Sequence, residues 1–254
     1  MYAEERQQAI VAAVATAGRL SVIELADRYA VTTETIRRDL SALERAGLVR
    51  RVHGGAVPAH ALSVLETAVS DRDRSSAAEK DRIALAALDL VPDHGCVVLD
   101  AGTTTARLAG LIPVDRRLEV VTHAVPIAAR LAGHPAIGLR LLPGRVRPTT
   151  QAAVGEDTVE ALSRLLTDVA FVGTNGISTK HGLSTPDHSE AAVKRAIVTG
   201  ARQVVVLADA GKLGEEHLVR FASLEEIDVL VTDERATTEQ LAPLTDAGIK
   251  VVVA

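Results

Sequence analysis

Val98-Leu99-Asp100-Ala101-Gly102-Thr103-Thr104-Thr105-Ala106 sets an apolar run, an aspartate, a glycine and three hydroxyl residues in one line. A strand ending at Asp100 and a helix opening at Thr103 would turn backbone N–H groups and a positive dipole end outward, a seat for an anion. Gly102 lets the backbone approach a ligand closely, and the threonine hydroxyls add donors. Thr122-His123 ends a second apolar run and would face the same crevice. Lys212, just beyond Asp209, would bring a point charge to a phosphate or a hydroxyl. An ordinary capped helix start accounts for Gly102–Thr105 as well, and an exposed loop lysine accounts for Lys212. A second group of cations lies near the amino terminus: Arg37, Arg38 and Arg45, then Arg50, Arg51 and His53, with no acid between Gly47 and Val57.

The amino-terminal cations need elements to present them. Arg6, Ile10 and Val14 recur at four-residue intervals on a first helix that Gly18 stops. Ser21 can cap a second, Val22 to Tyr29, with Val22, Leu25 and Ala26 inward. Thr32 can cap a third that Gly47 ends, with Ile36, Leu40 and Leu43 inward. The third helix then shows Glu34, Arg38, Ser41 and Arg45 outward, with Thr35 and Arg37 on its flanks. Residues 48–57 read as two short strands around a glycine pair. Two helices joined by a short turn fit a helix–turn–helix, whose arginines reach guanine edges or phosphates. A solvated face paired with Glu34 and Glu44 fits them equally well.

The anion seat needs a sheet. After a stretch at 58–76 with no clear period, read as a linker, apolar runs occur at Cys96–Leu99, Leu118–Val121, Leu139–Leu142, Val169–Val172, Gln203–Leu207, Val229–Val231 and Ile249–Val253. Alanine-rich helical stretches separate most of them: Lys80–Leu90, Thr104–Leu111, Ala124–Leu131, Asp157–Leu166 and Ser189–Gly200. Short strands alternating with helices predict an α/β fold with a largely parallel sheet covered on both faces.

Composition sets the outer bounds. The 254 residues are 47% hydrophobic and 24% charged, a globular and not a disordered balance. The formal net charge is −5, yet residues 1–57 carry eight arginines against seven acids, so the acidity belongs to the remainder. No apolar run approaches the ~18 residues of a membrane span. Nor does the start resemble a secretory signal, so a cytoplasmic protein is expected, with the single Cys96 as a core residue. His181, Asp187, His188 and Glu190 cluster in sequence, but without the i, i+4 histidine spacing of a helical metal site. Glu190 and Lys194 read instead as a helix pair, and neither metal nor cofactor is expected.

The order of these motifs resembles one family. Arg6-x3-Ile10-x3-Val14, then Thr32-x2-Thr35-Ile36-Arg37-Arg38-Asp39-Leu40 and "LERAGLVRRVHGGAV", are similar to the amino-terminal signature of the DeoR family of bacterial transcriptional regulators. Ser70-Asp71-Arg72, Glu79-Lys80, "LDAGTTT", "VVTHAVPIA", "DVAFVGTNGIS" and "LADAGKLG" resemble, in order, landmarks of its carboxy-terminal sensor domain, which is related to ribose-5-phosphate isomerase and the CoA transferases. The resemblance implies a winged helix–turn–helix over 1–57, a linker over 58–76 and a Rossmann-like, mostly parallel α/β sensor domain over 77–254. It implies operator DNA contacts from Thr32, Thr33, Thr35, Arg37, Arg38, Ser41, Arg45, Arg50, Arg51 and His53. For a phosphorylated sugar or polyol effector it implies Asp100, Gly102, Thr103, Thr104, Thr105, Thr122, His123, Gly144, Asn175, Gly176 and Lys212. Fructose 1-phosphate and glycerol 3-phosphate are the effectors it suggests, and a homodimer or homotetramer the assembly. His123 departs from the family's usual asparagine and Pro143 from its Gly-Gly pair.

A sugar-phosphate isomerase or transferase-like enzyme is the alternative. Isomerisation needs a general base at the carbonyl, which the related isomerases carry in an acidic turn after the strand matching Val169–Val172. Here that turn is Gly173-Thr174-Asn175-Gly176, without a carboxylate. Asp100 then reads as an acceptor for a sugar hydroxyl, and the chain as a repressor that binds its effector without turnover. A structural, non-specific DNA binder would need a basic body, which the acidic remainder lacks.

Overall fold

The structure, a computed structural model, describes residues 3–52, 54–58 and 69–254. It divides into two compact units, Met1–Leu62 and Ser63–Ala254.

The first unit holds helices α1 (Ala3–Ala17), α2 (Val22–Tyr29) and α3 (Thr33–Arg45), with strands β1 (Leu20–Ser21), β2 (Val49–Val52) and β3 (Gly55–Pro58). Ser21 and Glu24 form a reciprocal capping box at the start of α2, and the Thr32 hydroxyl accepts the Thr35 N–H at 3.2 Å at the start of α3. Ile10, Val14, Leu25, Ile36, Leu40 and Leu43 build one core, as their spacing predicts. The sheet order is β1-β3-β2, antiparallel throughout. The two-residue β1 is not legible in sequence, and it explains Gly55: a Cβ there would lie 2.2 Å from the Leu20 carbonyl oxygen. A buried ion pair ties α1 to α3. Arg6 Nε donates to Asp39 at 2.6 Å, and Gln7 Nε2 donates to the second carboxylate oxygen at 3.0 Å.

In the second unit, seven strands form one parallel sheet: β4 (His94–Leu99), β5 (Arg117–Thr122), β6 (Ile137–Leu141), β9 (Thr167–Gly173), β12 (Ala201–Leu207), β14 (Val229–Thr232) and β15 (Lys250–Val253). Their order is β15-β14-β12-β9-β4-β5-β6. Every apolar run read from the sequence is a strand of this sheet. Alternate residues serve opposite faces. Val97, Leu99, Val169, Phe171, Val205 and Leu207 pack with α5 (Ala77–Leu88), α6 (Thr103–Leu111) and α7 (Val125–Leu131). Val98, Ala170, Val172, Val204 and Val206 pack with α8 (Glu156–Ser163), α9 (His188–Thr199) and α10 (Thr238–Asp246). Burial on both faces leaves no polar alternation, so the strands read as continuous Val/Leu runs. Cys96 is half-buried on β4.

Three features depart from expectation. A ribbon of β7 (Arg145–Arg147) and β8 (Ala152–Val154) and a small antiparallel sheet of β10 (Gly176–Ser178), β11 (Gly182–Thr185) and β13 (Val219–Ala222) lie outside the main sheet. Helix α10 follows β14. Within the stretch read as linker, Val69–Arg74 form helix α4. Tertiary bonds hold it: the Arg107 guanidinium pairs with Asp73 and donates to its carbonyl at 3.0 Å, and the Val69 N–H donates to Thr149 O at 2.9 Å.

Replacing Asp39 with Ala strands the buried Arg6 and should cost about 2–3 kcal/mol, the scale of a hydrogen bond to a charged group. Both tyrosines, Tyr2 and Tyr29, belong to the first unit, so tyrosine fluorescence during denaturation reads the loss.

Candidate functional site

The order of the main sheet reverses between β4 and β9. From β4 the chain proceeds outward through β5 and β6; from β9 it proceeds the other way through β12, β14 and β15. In an open parallel sheet the crevice beyond the carboxyl ends of such a strand pair is where ligands sit. A cleft lies there. It is lined from β4 onward by Ala101 and Gly102 to Thr105, and from β9 onward by Gly173, Thr174 and Asn175. Asp209 and Lys212 follow β12, Glu190 and Lys194 come from α9, and Arg72, Ser75 and Lys80 complete the wall.

Gly102 precedes α6 with no side-chain cap, so the first-turn N–H groups of Thr103, Thr104 and Thr105 have no capping acceptor. The Thr105 hydroxyl donates inward to the Asp100 and Gly102 carbonyls at 2.7 and 2.9 Å. It shapes the turn and leaves the backbone donors to the cleft. Around them stand the cations. The Lys80 ammonium is buried and donates to the carbonyls of Arg72 and, at 2.7 Å, Ser75. Burial pushes its pKa down to about 8 against the partial support of Asp209, with Lys212, Arg107 and Arg72 pushing the same way as burial. Arg72 Nε is buried without a hydrogen-bond partner among the described residues. Such an orphan is rare in a folded protein and calls for a ligand or water. Lys212 is half-buried in the 3-10 turn Ala210–Lys212, which Asp209 caps through the Gly211 N–H at 3.2 Å.

Asp100 is not in the cleft, which corrects its reading as a sugar-hydroxyl acceptor. It is fully buried, with both oxygens engaged. Oδ2 accepts the Gly173 N–H at 2.9 Å and pairs with the Lys194 ammonium; Oδ1 lies 3.0 Å from His123 Nε2. Burial alone would raise the Asp100 pKa, but Lys194 and His123 together outweigh it and draw it down to about 2. His123 Nδ1–H donates to the Ala153 carbonyl at 2.8 Å, since a carbonyl only accepts, and Nε2 faces the Ala101 N–H at 3.1 Å. His123 and Thr122 are thus buried behind the seat, Thr122 donating to Leu99 O at 2.7 Å. Asn175 lines the cleft and accepts the Thr185 hydroxyl at 3.1 Å. Gly144 and Gly176 do not line it. A Cβ at Gly144, where φ is +136°, would meet Thr158 Oγ1 at 2.2 Å, and one at Gly176 would meet Glu215 O at 2.3 Å. Both glycines permit close packing.

The pair read between Glu190 and Lys194 does not form. Lys194 turns to Asp100 and donates to Gly173 O at 2.8 Å, while Glu190 accepts from Arg147 of β7 at 2.7 Å. Arg72, Ser75, Lys80, Glu190, Lys194 and Asp209 were not assigned from sequence. The Ser70-Asp71-Arg72, Glu79-Lys80 and "LADAGKLG" motifs contain Arg72, Lys80 and Asp209, but Ser75, Glu190 and Lys194 carried no such signal, because α4, α5 and α9 come to the cleft by tertiary packing.

On the first unit, Arg37, Arg38, Arg45 and Arg51 are exposed, Arg50 is half-buried, and Thr32, Thr33 and Thr35 stand at the front of α3. Arg37 lies 3.6 Å from Glu34, an exposed pair worth about 0–1 kcal/mol and therefore easily exchanged for a phosphate. Ser41 is committed internally, donating to Arg37 O and accepting from Arg51 Nη1, each at 2.8 Å. His53 lies outside the described residues.

Comparison with known proteins matches a DeoR-like helix-turn-helix domain over residues 6–61 and a DeoR C terminal sensor domain over residues 75–234. The chain belongs to the DeoR family of transcriptional regulators. It is 36% identical to the HTH-type transcriptional regulator GlpR of Haloferax volcanii, over 99% of this chain and 98% of that one. It is 30% identical to the glycerol-3-phosphate regulon repressor of Escherichia coli K12, over 97% of each, and 32% to the HTH-type transcriptional repressor GlcR of Bacillus subtilis, over 100% and 97%. Among solved structures, ribose 5-phosphate isomerase A of Methanocaldococcus jannaschii aligns over 54% of this chain and 55% of its own, at 18% identity and a TM-score of 0.40, too loosely to bear on activity. No helix among the described residues is long and apolar enough to cross a membrane.

The depressed Asp100 pKa makes the sensor domain acid-sensitive. Its stabilising charge is fully present above the unfolded value near 4 and is lost as pH falls towards about 2, some 2 kcal/mol in all. Stability measured from pH 5 to pH 2 should fall more steeply in this protein than in Asp100→Asn. At neutral pH that variant, with Lys194 stranded, should be less stable by about 3–5 kcal/mol.

Proposed function

We propose that this DeoR-family regulator is a cytoplasmic repressor of sugar or polyol genes whose cleft binds a phosphorylated sugar or polyol, without turnover, and so releases operator DNA. The observation that carries the reading is the buried Arg72 Nε, without a hydrogen-bond partner among the described residues and set in one cleft with Lys80, Lys212 and the uncapped start of α6. A phosphate dianion supplies acceptors to all of them. The name of one relative, a glycerol-3-phosphate regulon repressor, agrees with that ligand class. Glycerol 3-phosphate and fructose 1-phosphate are the first ligands to try.

Binding without turnover is supported by the strand-end acid, Asp100, being out of reach of a ligand in the cleft. Asp100 is sealed, Asp209 caps a turn, and one Glu190 oxygen is held by Arg147. Purified protein should therefore not isomerise ribose 5-phosphate. Arg72 also suggests how occupancy reaches the DNA-binding head. It belongs to α4, the first described element after residues 59–68, so an effector that draws on Arg72 acts where the chain returns to the head. Coupling of this kind amounts to about 1–3 kcal/mol. A homodimer or homotetramer would set two heads on repeated half-sites.

Gel shifts with the chain's own promoter fragment should show binding that a phosphorylated sugar or polyol weakens. Arg37→Ala with Arg38→Ala should abolish binding while the sensor domain stays folded. In thermal-shift measurements, an effector at 100 times its Kd adds about 2.7 kcal/mol, and Arg72→Gln should weaken it. A bound phosphate stabilises the charged form of Lys80, so affinity should hold below pH 8 and fall as pH rises beyond it. Affinity unchanged between pH 7 and pH 9.5 would count against a Lys80–phosphate contact.

A further inference from the structure

We propose that Glu190 is the hydroxyl-recognising residue of the cleft, and that it selects phosphorylated polyols and sugars against phosphorylated carboxylic acids. The inference rests on the phosphate-binding reading above and assigns the part of the ligand that is not phosphate.

Glu190 stands in the first turn of α9, its N–H bound by the Asp187 carboxylate at 2.9 Å, and it is 4% exposed. Its Oε1 accepts from Arg147 Nη1 at 2.7 Å, while Arg147 Nη2 lies 3.2 Å from Asp187. The guanidinium is always charged, so it fixes the carboxylate in one orientation. No hydrogen bond among the described residues engages Oε2, and Glu190 lines the cleft. Of the other acids nearby, Asp100 is occupied by Lys194, His123 and the Gly173 N–H, while Asp209 gives one oxygen to the turn it caps and, unlike Glu190, has no guanidinium to fix it.

Oε2 is therefore a fixed acceptor inside a pocket otherwise rich in donors. An ionised carboxylate accepts and never donates. A ligand hydroxyl satisfies it. A ligand carboxylate brings no proton and adds like-charge repulsion at short range in a partly desolvated site. Lys80, Arg72 and Lys212 taken alone favour the more negative ligand, so generic electrostatics and Glu190 predict opposite preferences.

Isothermal titration of the intact protein should compare inorganic phosphate with two matched pairs: glycerol 3-phosphate against 3-phosphoglycerate, and glucitol 6-phosphate against 6-phosphogluconate. Within the pair that binds, the polyol ester should be tighter by at least about tenfold, the scale of one charge-assisted hydrogen bond. Glu190→Gln, which keeps an oxygen for Arg147 and offers an amide donor to a carboxylate, should shrink that ratio to about twofold or invert it. The ratio is insensitive to any uniform loss of affinity. An acid bound as tightly as its polyol by the unaltered protein overturns the role of Glu190 and leaves phosphate binding standing, whether or not the variant folds. A tenfold ratio that survives in a cooperatively folded Glu190→Gln also overturns it. Failure of phosphate and of all four esters overturns the phosphate reading itself.

Discussion

A buried carboxylate holds the cleft together. Asp100 follows β4 at the point where the sheet order reverses, and it joins three other elements there: β9 through the Gly173 N–H, α9 through Lys194, and the end of β5 through His123. Burying an ion pair rarely adds net stability over an apolar substitute, because desolvation offsets the attraction. What the pair adds is position. With Lys194 also donating to Gly173 O, the β4 and β9 carboxyl ends are fixed at the spacing that opens the crevice between them. The cleft depends on that spacing, since residues 103–105 and 173–175 line it from the two sides.

The same contact bears on what the cleft can do. A carboxylate serving as general base must reach the proton it removes and be free to accept it. Asp100 meets neither condition, being sealed from the cleft and held in its charged form by a lysine. The sequence argument against turnover rested on the acid-free turn Gly173–Gly176, and the structure changes its footing. The cleft does contain acids, Glu190 and Asp209, brought by α9 and by the end of β12.

Legibility in the sequence followed the range of the interactions. The seven strands of the parallel sheet were readable because two-sided burial writes each as an unbroken apolar run, and the helix caps at Ser21 and Thr32 because capping is local. Helix α4 was not readable. Val69–Arg74 has no apolar stripe and is held by Arg107, more than thirty positions away. The short β10 and β11 form a local hairpin too brief to show a period, and β13 joins β11 from more than thirty positions away. In the site, the backbone seat at Gly102–Thr105 was legible as a local motif. The partners of Asp100, Lys80 and Glu190 were not, because each is chosen by packing between distant segments. Asp100 itself was placed correctly in the chain and wrongly in the chemistry, since a strand-end aspartate looks the same whether it faces ligand or core.

The two units manage charge in opposite ways, as their roles in a DeoR-family regulator require. On the head, Arg37 and Arg38 are exposed, and the Arg37–Glu34 contact is long and solvated. Giving up such pairs to phosphates costs little, and counterion release favours the exchange. In the sensor, charges are buried and committed, with Lys80 on two carbonyls and Lys194 on Asp100. Among the described residues, the buried nitrogen of the cleft left without a partner, Arg72 Nε, is on α4, the first described element after residues 59–68. In the proposed function, an effector that met the Arg72 demand would stabilise one placement of α4 over others, and differential stabilisation of that kind is what a ligand needs in order to shift a conformational equilibrium.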